Sequence, residues 1–230
     1  MSQTAVAPQI SGKMFLFERP ELLNRQQHGD LGVDAAPKPF GFCANVRAIP
    51  LTISEISEAS KAYPVVFMSK ENPVPLAILG LGGDLNLFVD DEGNWEPAAY
   101  VPGYLRRYPF ALAGEQAGER MALVIDGAYP GLSTRAERKL FANGEMTEFA
   151  KQAMEFTKTY EQDRRLTEQV MNRLKEFNII ESQTAQYTPA GTTEARPFAQ
   201  YFGVDEDALR NLPDDKYAEL RKANLIGIIY

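Results

Sequence analysis

Between Thr147 and Phe177 one set of side chains recurs in steps of four and three: Phe149, Ala153, Phe156, Tyr160, Asp163, Thr167, Val170, Leu174 and Phe177. That spacing puts them on one stripe of a single long helix covering about 147–177. The stripe turns polar at Asp163 and Thr167, which a uniformly buried seam does not do. The expectation is therefore packing against sheet at both ends, with partial exposure between. A second helix is predicted over about Ile53–Ala62, where Thr52 and Glu55 have capping-box spacing and Pro64 stops the run.

The strand signals are shorter. Val65–Met68 and Pro75–Leu79 flank a turn at Glu71-Asn72-Pro73. Leu85, Leu87 and Val89 alternate with Asn86, Phe88 and Asp90, the period of a half-buried strand, and Asp91-Glu92-Gly93-Asn94 turns it back toward Trp95. Met121–Ile125 is a further strand closed by Asp126-Gly127. Thr134 and Glu137 repeat the capping-box spacing ahead of Leu140 and Phe141, which predicts a short helix ending at Asn143-Gly144. Ile179–Tyr187 and Thr192–Phe198 bracket Pro189-Ala190-Gly191 as a hairpin. Asp205 caps a short helix, Pro213 starts another, and the apolar end Leu225–Tyr230 reads as a buried strand or the cut edge of a longer chain. The elements add up to an α+β fold, mainly antiparallel sheet with one long helix and several short ones. Met1–Lys13 is read as a flexible N-terminal arm and 14–230 as a single domain.

Composition narrows the function classes. The chain has 230 residues, 44% hydrophobic and 24% charged, enough to bury a core without disulfides or metal. A formal net charge of −7 repels phosphate backbones, so nucleic acid is not an expected partner. The longest apolar runs, such as Val74–Leu81, fall short of the roughly 20 residues of a membrane span. The polar start lacks the pattern of a cleavable secretory signal, which gives a cytoplasmic location by default, or the cell surface by a non-classical export route.

One His and one Cys cannot assemble a four-ligand zinc site, and no cofactor is expected. The acidic run Asp90–Asn94 lacks calcium-loop spacing and reads as a solvated turn. Gly80-Leu81-Gly82-Gly83-Asp84 is followed by a strand pattern, with no Lys or Ser/Thr after the last glycine, so neither a dinucleotide fingerprint nor a P-loop fits. His28 could serve as a general base if Asp30 or Glu55 oriented it, with Ser54 or Cys43 as nucleophile. Nothing in the spacing brings these together, and a loop hydrogen-bonding role is the plainer reading. No catalytic residue is assigned. Trp95, Tyr100, Tyr104, Tyr108 and Phe110 with Arg106 and Arg107 join stacking faces to cations, suited to sugar rings, anions or a protein partner. The alternative is that the rings are core and the arginines lie in surface ion pairs. The candidate binding set is Arg25, His28, Asp30, Trp95, Tyr104, Arg106, Arg107 and Tyr108.

Several blocks also carry a likeness: Leu23-Asn24-Arg25 with His28-Gly29-Asp30-Leu31, Ile49–Glu55, Tyr63–Phe67, Leu87–Asp90 leading to Trp95, and Tyr100-Val101-Pro102 with Tyr104-Leu105-Arg106-Arg107-Tyr108-Pro109-Phe110. Together they resemble the SapC family from about Leu23 onward. The resemblance implies a bacterial protein associated by family name with a paracrystalline surface layer, and it brings no set of catalytic residues. Two functions follow as expectations. One is a non-enzymatic structural or interaction protein that self-associates or holds a protein partner. The other is an intracellular small-molecule-binding or accessory protein, with a site joining His28 to the block 100–110.

Overall fold

The computed structural model describes residues 13–114 and 121–229; the expected arm, apart from Lys13, and Tyr230 lie outside the described residues. The chain begins with β1 (Pro20–Leu22), α1 (Arg25–His28), β2 (Gly32–Val33) and β3 (Ala48–Pro50), then a 3-10 turn at Ile53–Glu55 entering α2 (Ile56–Ala59). Next come β4 (Val65–Phe67), β5 (Pro75–Ile78), α3 (Gly103–Arg106), β6 (Phe110–Gly114) and β7 (Met121–Asp126). They are followed by β8 (Leu132–Ser133), β9 (Phe141–Ala142), β10 (Glu145–Met146), the long α4 (Glu148–Lys175), β11 (Ile180–Tyr187) and β12 (Arg196–Val204). The chain closes on α5 (Glu206–Arg210), α6 (Asp214–Lys222) and α7 (Ile226–Ile229). The strand pairs are antiparallel, and the fold is α+β. Among the described residues no helix is long and apolar enough to cross a membrane.

The described chain forms two compact units, one from residues up to Cys43 with Val89–Trp95 and Leu105–Glu161, the other from Ala44–Phe88, Glu96–Tyr104 and the residues from Gln162 on. In the first, the sheet β1-β7-β6 covers a core of Phe110, Leu123, Ile125, Leu140 and Ala150, against which Phe149, Ala153 and Met154 of α4 pack. Asn143-Gly144 ends no helix here. Both residues have positive φ, 51° and 84°, and they form the two-residue loop of the β9–β10 hairpin. That backbone suits the twist of paired strands, and it wins over the capping-box spacing at Thr134 and Glu137.

In the second unit, the five-stranded sheet β11-β12-β4-β5-β3 is covered by Met171 and Leu174 of α4 with Phe177, Leu209, Leu220 and Leu225. The C-terminal apolar stretch is the short helix α7, not a strand, and Ile226, Ile228 and Ile229 pack on this core only partly buried. The alternation at Leu85–Val89 has the opposite phase to the expected strand. Leu85 and Leu87 are 54% and 62% exposed, whereas Asn86 is 1% exposed. The Asn86 N–H donates to Ala44 O at 2.8 Å, and its side-chain oxygen accepts from Phe88 N–H at 3.0 Å, so local hydrogen bonding decides which residue turns inward. Gly80 explains why the chain can bend there: a Cβ at this position would lie 2.0 Å from Leu85 O.

The polar middle of the α4 stripe is not exposed throughout. Thr167 is buried; its hydroxyl accepts from Ile53 N–H at 2.8 Å and donates to Asp163 O at 2.7 Å. Ser54 Oγ donates to the Asp163 carboxylate. Thr167 thus caps the 3-10 turn from outside; the helix expected over 53–62 is that turn plus α2. Replacing Thr167 by Val keeps the shape but orphans the Ile53 N–H. A loss of about 1–2 kcal/mol in urea unfolding is expected, against less than about 0.5 kcal/mol for Leu166→Lys on the exposed face.

Candidate functional site

β7 ends on Asp126, a carboxylate with no exposure at all. It accepts four hydrogen bonds, each at 3.0 Å: Oδ1 from Arg19 N–H and Ala128 N–H, Oδ2 from Glu18 N–H and the Tyr108 hydroxyl. Four donors replace the water that burial removes. Tyr108 is stacked on Phe42 with ring centroids 3.9 Å apart and meets Phe17 and Tyr129 edge-on. Burial first, and the negative charge of Asp126 second, hold the Tyr108 phenol well above the usual tyrosine value. The Tyr108-Pro109 peptide is cis. In the sequence Asp126 reads only as a turn residue before Gly127. It is one, through Ala128, but nothing in the sequence pairs it with Glu18, Arg19 or Tyr108.

His28 is 1% exposed. Its Nε2 lies 3.1 Å from Glu21 Oε2, and its Nδ1 lies 3.2 Å from Asn24 N. Nδ1 also lies 3.1 Å from Asn24 O, so both ring nitrogens are engaged inside the fold. Glu21 also pairs with Arg19 at 2.7 Å. Cys43 is fully buried; its thiol donates to Phe40 O at 3.2 Å, and burial pushes it up to about 12. In the other unit Glu55 is buried and accepts from Thr52 N–H at 2.9 Å, Thr52 Oγ1 at 2.7 Å, the Tyr100 hydroxyl at 2.9 Å and Gly103 N–H.

The remaining candidates separate. Arg25 and Asp30 line one pocket of about 500 Å³ with Phe141 and Asn143. Arg106, Arg107 and Tyr108 line another, of about 330 Å³, with Phe149 and Arg138. His28, Trp95 and Tyr104 line neither. Trp95 is buried against Phe40, ring centroids 5.3 Å apart, and Tyr104 is half-buried on α3. Arg138, not singled out in the sequence, completes a set of three arginines in the smaller pocket. Asp90 sits in the expected turn, its carboxyl held below the usual range chiefly by the Asn94 N–H and then by the Asn94 side chain.

The SapC family profile matches residues 23–230. The chain belongs to the SapC family. No curated protein and no solved structure matches it. In this SapC chain the block Tyr104–Phe110 has a physical division of labour. Leu105 and Phe110 are buried, Tyr108 ties to Asp126, and Arg106 and Arg107 stand over the rings of Phe156 and Tyr160 at 5.4 and 5.2 Å.

Two solution properties follow. The native state keeps the Tyr108 proton to higher pH than the unfolded chain, so its contribution is whole below the ordinary value of 10.0 and is lost above it. The urea midpoint is expected to fall between about pH 9 and pH 11, and to fall less steeply in Tyr108→Phe. Cys43 is expected to resist a thiol reagent at about pH 8 in the native chain and to react at once when denatured.

Proposed function

We propose that this SapC chain is a non-enzymatic structural or interaction protein that works by self-association, within a bacterial surface layer or another multisubunit assembly. Supporting the non-enzymatic part, His28 and Asp126 are committed to internal hydrogen bonds, and Cys43 is buried. The observation that carries the self-association is the ribbon formed by β11 and β12. β12 pairs with β4 only at Phe202–Phe67, so the outer half of the ribbon has no third strand. Tyr187 and Phe198 stand on it half exposed, edge to face, with ring centroids 6.1 Å apart.

The two edges of that ribbon differ. β12 carries Arg196, Pro197 and a register shift, devices that keep an edge from pairing. β11 is the edge strand of the sheet and has none of them. Its sole charge, Glu181, pairs with Lys70 at 2.5 Å. The occupant of that edge is a second copy of β11, antiparallel about a two-fold axis at Thr184. This register sets Glu181 opposite Tyr187 and opposes no like charges.

Thr184→Lys brings two lysines together on the axis. Light scattering across concentration is expected to show a dimer for the unmodified chain and for Thr192→Lys at the loop, and a monomer for Thr184→Lys. A strict monomer at every concentration, or a dimer indifferent to Thr184→Lys, contradicts the proposal.

A further inference from the structure

The smaller pocket of the first unit has a chemistry of its own. It is lined by Arg106, Arg107 and Arg138 and by no Asp or Glu, in a chain whose net charge is −7. The aromatic stripe of α4 positions these cations. Phe149 lies under Arg138 at 5.0 Å, Phe156 under Arg106 at 5.4 Å, and Tyr160 under Arg107 at 5.2 Å. For Arg138, stacking uses the flat face of the guanidinium and leaves its N–H edge directed sideways. Arg138 is fixed further, because its Nε donates to Val33 O at 3.0 Å. Its terminal amino groups have no carboxylate in ion-pair range among the described residues.

Between the cations the walls are Tyr108, Phe110, Phe149 and Phe156, all at least half buried. Tyr108 is itself immobilised by Asp126 and Phe42. We propose that this pocket is a binding site for a small organic anion with a flat apolar body and one carboxylate. The forked N–H edge of arginine fits two carboxylate oxygens at once, and the ring walls fit a planar body. A volume of about 330 Å³ sits at the lower end of ligand pockets, which suits a one-ring acid and not a dinucleotide. The larger pocket has no comparable bias, since Asp30 shares it with Arg25.

Three probes separate the elements of this assignment on the unmodified chain: benzoate, benzamide with the same ring and no charge, and inorganic phosphate with charge and no ring. Calorimetric titration is expected to show saturable binding of benzoate that weakens with salt, and binding at least about tenfold weaker for the other two. Arg138→Gln is expected to lose about tenfold or more in benzoate affinity, and Arg138→Lys, which keeps charge but not the fork, to fall between. Circular dichroism of each variant reports whether the fold persists. The site is overturned if benzoate does not saturate, if benzamide or phosphate binds as well, or if folded Arg138→Gln keeps full affinity.

Discussion

A charged carboxylate inside a protein has to be surrounded by donors, and this requirement organises both units of the chain. Asp126 draws the backbone at Glu18 and Arg19, the turn at Ala128 and the Tyr108 hydroxyl to a single point. Those groups come from three separated stretches of sequence. β1 pairs with β7 directly beside this point, with Pro20 opposite Asp126. In the second unit Glu55 does the same with Thr52, Tyr100 and Gly103. An acid of this kind carries a large penalty when a donor is removed, so it defines one arrangement of the chain and excludes near alternatives.

The same economy accounts for the functional reading. Residues whose chemistry could suggest catalysis are taken up by the fold: Asp126 by four donors, His28 by Glu21 and Asn24, Cys43 by burial. What stays accessible is of another kind. The first unit presents cations standing over rings in a shaped pocket, and the second presents a long strand edge with a single charge, Glu181. These are the features on which the two proposals rest. The tyrosine that helps shape the pocket also bonds to the buried acid, so the block Tyr104–Phe110 joins scaffold to pocket at Tyr108.

Elements set by local periodicity were legible in the sequence. The long helix, the pairing of β4 with β5, strand β7, the β11–β12 hairpin and the Asp205 cap all follow from spacing within a few residues. The structure departs from periodicity where a distant or a competing local partner decides. Thr167 looked like a break in an apolar stripe because its partner, Ile53 N–H, lies 114 residues away. The inward turn of Asn86 reverses an alternation that hydrophobicity alone would fix the other way. Asn143-Gly144 has the residue types of a helix end, and its positive φ values equally suit the hairpin that forms. The candidate site was legible in part: Arg106, Arg107 and Tyr108 do share a pocket, but Arg138 had no signal in the sequence and His28 lies in neither cavity.

The most direct measurement is the unfolding free energy of Asp126→Asn. An amide nitrogen in place of either oxygen faces two donors with a third, while the shape of the side chain is unchanged. A folded but destabilised protein is predicted, with a loss of about 3 kcal/mol or more, beside less than about 0.5 kcal/mol for Glu92→Gln in the exposed turn. Equal stabilities for the two variants would contradict the view that this buried carboxylate holds the first unit together.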